Sequence, residues 1–324
     1  MLMTIEQANE RIAAHRPLFI AGEEALLRRL NQGLWVAGTI PYFMDDAGGV
    51  VAQDRVFVTE VPEVVTEAWV KVYDRASLSQ IPSDAPENGF SFVVLPAESD
   101  VHVAYAQDAP NFPGLYLKPI FGWIAGVHLS NVGKESPCVV DGTTHDVATD
   151  KAVVMHCALP AGKHAKLGVL NLFAPGDGKA ITFDQTGFSA KDARIGGETA
   201  NLAKYFVEQG VDTKLPLVAD YSGVHVNVSI QSVDEAAGVV NFYAPVFEGV
   251  EYHLAAPVGQ YVEQFEKEIP RNVVPAVSCN CILNFLYSEL EGKKTGAFRG
   301  PMTFGEIGYQ LLNQTMVYIE LIDV

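Results

Sequence analysis

The clearest pattern in the chain is an alternation, with Val224, Val226, Val228 and Ile230 on one side and His225, Asn227 and Ser229 on the other. A period of two is that of a β-strand. The apolar row belongs to a core, and the polar row either faces solvent or lines a pocket. Residues 34–44 and 50–61 flank an acidic Gly-Gly turn at 45–49 and read as a β-hairpin. Residues 137–141 and 151–159 read as a second, longer hairpin that would bring Cys138 near His156 and Cys157. Further strands are expected at residues 90–96, 165–173, 239–244, 250–255 and 316–321, while residues 63–80 show no clean period.

Helices follow from caps and breakers. Thr4 with Gln7 three residues on is a capping-box signal for a helix that ends near His15, before Pro17. Short helices are expected over residues 23–30, 99–107 and 258–269. Ser189, with Asp192 three residues later, predicts a helix that continues to about Gln209 across Gly196-Gly197. Near the end, an apolar run from residue 274 leads through Cys279 and Cys281 into a segment with Ile282, Phe285, Leu286 and Leu290 at helical spacing. Glycines at 292, 296 and 300 then open a loop that delivers Thr303-Phe304-Gly305-Glu306, and Asn313-Gln314-Thr315 precedes the last strand.

Helices and hairpins in mixed order, with no regular strand-helix-strand series, predict an α+β fold. Two β-sheet domains with flanking helices and a cleft between them are expected. The polar, proline-marked stretch at 212–216 places their boundary between residues 212 and 213, giving domains 1–212 and 213–324.

Charge and composition narrow the partners. The 324-residue chain is 48% hydrophobic, enough for a large core, and its 22 basic against 39 acidic residues leave a net charge of −17. Such a field repels phosphate backbones and anionic lipid surfaces, so neither nucleic acid nor membrane is an expected partner. A polar amphipathic start and the absence of a long apolar run predict a cytoplasmic protein, where the four cysteines remain thiols. Homodimerisation is compatible with this composition.

The C-terminal elements resemble those of the FIST sensory-domain family. The resemblance rests on Cys279 and Cys281, Phe304-Gly305-Glu306-Ile307, Asn313-Gln314-Thr315, and a hairpin turn built on Pro245, Glu248 and Gly249. It is best over the last third of the chain and extends to a Gly-containing turn at Gly38-Thr39 and a Gly-rich stretch around Gly122 and Gly126. The resemblance implies FIST N-terminal-like and C-terminal-like halves and recognition of a small, amino-acid-like molecule. One departure is that no arginine follows the cysteines between Arg271 and Arg299, where the family commonly carries one.

Two functional classes remain. As a binding module, the chain would use Glu306 and Asn313 for an ammonium and polar groups and the Gly305 and Gly308 amides for a carboxylate, with His225 and Asn227 of the polar row nearby. As an enzyme, it would use Cys279 or Cys281 as nucleophile, Glu306 as acid or base, and His225 or His253 as base. No Gly-x-Ser-x-Gly elbow, phosphate loop, dinucleotide fingerprint or His-Glu-x-x-His sequence defines a reaction. The spacing of Cys138, His156 and Cys157 fits no zinc template, so neither metal nor cofactor is expected. The reading preferred is the stand-alone small-molecule sensor.

Overall fold

A computed structural model describes residues 1–270 and 272–323; Arg271 lies outside the described residues. The fold is α+β. Among the described residues there are seven α-helices: α1 (Ile5–Ala13), α2 (Glu24–Leu27), α3 (Ile81–Asp84), α4 (Asp100–Asp108), α5 (Leu202–Gln209), α6 (Tyr261–Glu268) and α7 (Ile282–Tyr287). No helix is long and apolar enough to cross a membrane among the described residues. Thr4 caps α1 with both halves of the capping box in place, as its sequence predicts.

Three six-stranded sheets form the body, the first from residues 2–148 alone and the other two by combining the first half of the chain with its end. In the first, Leu18–Gly22 and Trp35–Thr39 run parallel, flanked by Val56–Glu60 and Val139–Asp141. In the second, Gly89–Pro96 and Ala152–Ala158 form the middle and Glu306–Gly308 joins through Ile120–Ala125. In the third, Val277–Cys281 lies between Thr315–Asp323 and Gly300–Thr303, which pairs in turn with Tyr42–Asp45. The segments after residue 276 therefore pair with strands from the first 171 residues in two sheets.

A six-stranded and a three-stranded sheet use only residues 181–254. The boundary expected at 212/213 does not coincide with a break between sheets. Asp192–Ile195 and Leu217–Tyr221, on either side of it, belong to one sheet, and Gly187–Ala190 pairs with Val239–Val246. The sheets group instead as an insert, 181–254, within a body built from both ends of the chain.

Other expectations are corrected. Residues 189–209 are not one helix: strands Gly187–Ala190, Asp192–Ile195 and Glu198–Asn201 precede α5. Gly196 and Gly197 both have positive φ, 61° and 90°, which suits the turn of a two-residue hairpin and breaks the helical path. Asn201, not Ser189, caps α5 by accepting from the Lys204 amide. The hairpin expected over residues 137–159 is shorter, Val139–Asp141 with Asp146–Ala148. Ala152–Ala158 leaves for a different sheet, so strand pairing does not place Cys138 beside His156 and Cys157. The first expected hairpin survives only as Tyr42–Asp45 with Gly48–Val51.

The alternating strand Val224–Val228 is inverted at its end relative to the simple expectation. Val224 is 65% exposed, whereas Asn227 and Ser229 are buried. Asn227 and Asn171 exchange amide hydrogen bonds, both 2.9 Å, and Asn227 Nδ2 also donates to the Asn313 carbonyl at 3.0 Å. Ser229 Oγ donates to Gln314 Oε1 at 2.7 Å. The polar row thus fastens the insert to the body. Asn227→Ala would leave buried amide and carbonyl groups unpaired at this junction. It is expected to lower unfolding stability by roughly 2–4 kcal/mol in urea titrations, and a loss under about 0.5 kcal/mol would show that the contact carries little.

Candidate functional site

Val277–Cys281 runs directly into α7, with Cys281 as its N-cap residue. The parallel neighbour Gly300–Thr303 places Thr303 opposite Cys281, and the chain then turns through Phe304-Gly305 so that Glu306 enters the second sheet. The last strand brings Thr315 to the same point. Glu306 is wholly buried there. Its Oε2 accepts from the Thr315 hydroxyl at 2.8 Å and the Thr315 amide at 3.2 Å, while Thr303 Oγ1 reaches Oε1 at 3.5 Å.

Burial dominates the electrostatics. Removal from water pushes the Glu306 carboxyl up to about 8, although the bonds from Thr315, Cys281 and Thr303 oppose the shift. Burial thus favours the protonated, neutral form at neutral pH. Burial first, and the Glu306 carboxyl second, hold the Cys279 and Cys281 thiols well above the ordinary cysteine range. Cys279 Sγ spends its proton on the Gly122 carbonyl at 3.4 Å. Neither sulfur is an activated nucleophile, because activation requires a stabilised thiolate.

The residues proposed from sequence divide accordingly. Cys279, Cys281, Glu306 and the backbone of Gly305 form one buried cluster, but none of them lines either of the two larger cavities around α7. A Cβ on Gly305 would press on Ile124 and Leu311, so this glycine serves packing. Asn313 is fully buried with Nδ2 on the Leu312 carbonyl and Oδ1 without a partner among the described residues. Asn227 joins Asn313 through its carbonyl, as described above. His225 is half-buried, and its carbonyl accepts from Asn171 Nδ2 at 3.1 Å. His253 bonds the Gly178 carbonyl and Glu251 instead of the cysteines.

His156 belongs to a separate closed network. Its ring nitrogens meet Ser91 Oγ at 2.8 Å and the Tyr73 hydroxyl at 2.9 Å, and Tyr73 continues to Asp84 at 3.0 Å. Burial lowers the imidazole to about 4. No group of three or more His, Cys, Asp or Glu suited to a metal occurs among the described residues.

Open space begins one shell away, on both sides of α7. Asn280 Oδ1 accepts from the Cys281 amide at 2.8 Å and from Asn284 Nδ2 at 2.9 Å, and the Tyr261 hydroxyl also reaches Asn280. Asn284 and Tyr261 line a cavity of about 460 Å³ together with Gln314, Tyr287, Lys214 and Lys293. Gln314 has φ +49°, an unusual conformation for a non-glycine residue, and its amide is anchored by Ser229 and the Lys214 carbonyl. Sequence reasoning missed this wall. The available signal was Asn280 and Asn284, two amides one helical turn apart at a strand-to-helix junction. A second, mainly apolar cavity of about 370 Å³ lies against Ile282, Leu283 and Leu286 of the same helix.

The neutral state of Glu306 has a pH signature. The folded chain keeps this proton up to about pH 8, whereas an ordinary carboxyl at 4.5 in the unfolded chain has lost it. Between those values the folded form binds more protons, so this group makes stability fall as pH rises. Glu306→Gln, which cannot ionise, should remove a slope on the order of 1 kcal/mol per pH unit from urea-derived stabilities. Parallel pH profiles for the two proteins would contradict a neutral Glu306.

No curated protein matches the chain. A family model described as a family of unknown function, DUF6976, matches residues 3–322, which covers the body, the insert and both cavities. The protein belongs to the DUF6976 family.

Proposed function

We propose that this protein is a stand-alone small-molecule sensor whose ligand is amino-acid-like or a small carboxylate, held in the 460 Å³ cavity beside α7. The observation that carries the reading is the chemistry of that wall. Lys214 and Lys293 supply positive charge for a carboxylate, Asp212, Glu263 and Glu289 supply negative charge for an ammonium, and Asn284 and Gln314 present amides. Tyr287 carries the Lys214 ammonium over its ring at 5.9 Å. The Glu306 cluster serves as the support behind this wall, which revises its expected role from ligand contact to positioning. The reading agrees with what the FIST resemblance implies, with the ligand displaced from Glu306 to the neighbouring amides. Four free, buried thiols also suit the cytoplasm, a reducing compartment.

Raised thiol values at Cys279 and Cys281 and the closed surroundings of Glu306 favour binding over turnover. A thermal-shift screen of the purified protein against amino acids and small carboxylates is expected to give a stabilising hit that survives incubation unchanged. Lys214→Met should weaken that hit about tenfold by removing a charge-assisted bond. A hit that is converted to product, or rapid native-state labelling of Cys281, would place the protein among enzymes instead. Silence across the panel would remove the ligand class proposed.

A further inference from the structure

The second cavity, about 370 Å³, lies on the opposite flank of α7 and differs in chemistry from the first. Its walls are largely apolar: Ile282, Leu283 and Leu286 come from α7, Phe188 and Phe242 from the insert, and Phe304 from the loop before Glu306. Gly126 lets Phe304 take this position, because a Cβ at Gly126 would meet the Phe304 ring. No Lys or Arg among the described residues lines the space. Polar groups are few and placed singly, at His102 on α4, at Glu98 and Gln231, and at Tyr243.

His102 is the informative residue. It is only 7% exposed and meets Phe188 edge-on at 5.9 Å. Its Nδ1 accepts the Glu98 backbone amide at 3.2 Å, so the neutral ring carries its proton on Nε2. That Nε2 is buried and has no partner among the described residues. Burial lowers the imidazole to about 4, so the ring does not become a cation near neutral pH. A buried donor with nothing to meet is unfavourable, and a bound acceptor would relieve it.

We propose that this cavity binds a neutral, mainly apolar small molecule bearing a carbonyl-type acceptor, which the Nε2–H of His102 meets. The apolar walls select the body of the ligand and the single uncharged donor selects its acceptor. An anionic head is disfavoured, since it would face acidic Glu98 with no cation in the wall to balance it. The site is independent of the polar cavity, where lysines are present, so the two can fail or hold separately.

A matched set of probes tests this. Butyrophenone carries the ketone, butylbenzene replaces that carbonyl with a methylene, and phenylbutyrate carries an anion; each is titrated into the whole protein by calorimetry. The ketone is expected to bind about tenfold more tightly than the hydrocarbon, as loss of one bond to a buried donor predicts, and the anion should bind most weakly. His102→Phe should erase the preference for the ketone. Val132→Trp, at a half-exposed position on the cavity rim, should abolish binding of both neutral probes without touching the core. Equal affinities for ketone and hydrocarbon, no binding of any probe, or binding unchanged in Val132→Trp would each overturn the proposal. Should His102→Phe fail to fold, the native probe series and Val132→Trp still decide it.

Discussion

A carboxyl group sealed from water must either lose its charge or find a cation, and Glu306 has no cation beside it among the described residues. Burial favours its protonated form, and Thr303 and Thr315 supply its hydrogen bonds. Each of these partners lies on a different strand; the strands of Thr303 and Thr315 reach in turn to residues 42–45 and 163–171, and the strand of Glu306 itself pairs with 120–125. One neutral acid therefore sits where the first half of the chain and its last strands are joined. A negative charge at that point would carry a desolvation cost that its few donors do not offset.

The same junction receives the insert. Asn227 and Ser229 leave the insert's sheet to bind Asn313 and Gln314, the two residues that immediately precede Thr315. Gln314 then exposes its edge to the polar cavity, while Phe304, two residues before Glu306, exposes its ring to the apolar one. The two cavities are thus built from immediate sequence neighbours of the buried cluster. A rigid interior with functional groups one residue away is a common way to hold a binding wall in place.

Much of the local structure was legible in the chain. The Thr4 capping box, the strand at residues 89–96, and the strand that runs through Cys279 and Cys281 into a helix all follow from caps and apolar periodicity. The α+β class was legible for the same reason. Pairing was harder to read, because partners such as Lys163–Asn171 and Thr315–Asp323 are far apart in sequence and periodicity says nothing of distant registers. The 189–209 segment misled because Ser189 and Asp192 imitate a capping pattern, while Gly196-Gly197 encodes a turn. At the site, sequence singled out Cys279, Cys281, Glu306 and Asn313 as unusual polar groups in an apolar region, which they are. It could not distinguish a polar group that faces open space from one that braces the residues that do, and Asn284, Gln314 and His102 emerge only from burial and partner geometry.

The central claim is that Glu306 is a neutral acid within the folded protein, and its protonation can be observed directly. Infrared difference spectroscopy of the native protein against Glu306→Gln near pH 6.5, midway on a scale set by the ordinary carboxylate and the raised value of about 8, isolates that one side chain. The account predicts a carbonyl band of a protonated carboxylic acid that disappears in the variant. A difference spectrum containing only carboxylate bands would mean that the charge is tolerated at the junction, and the account of how the two ends of the chain are held together would be contradicted.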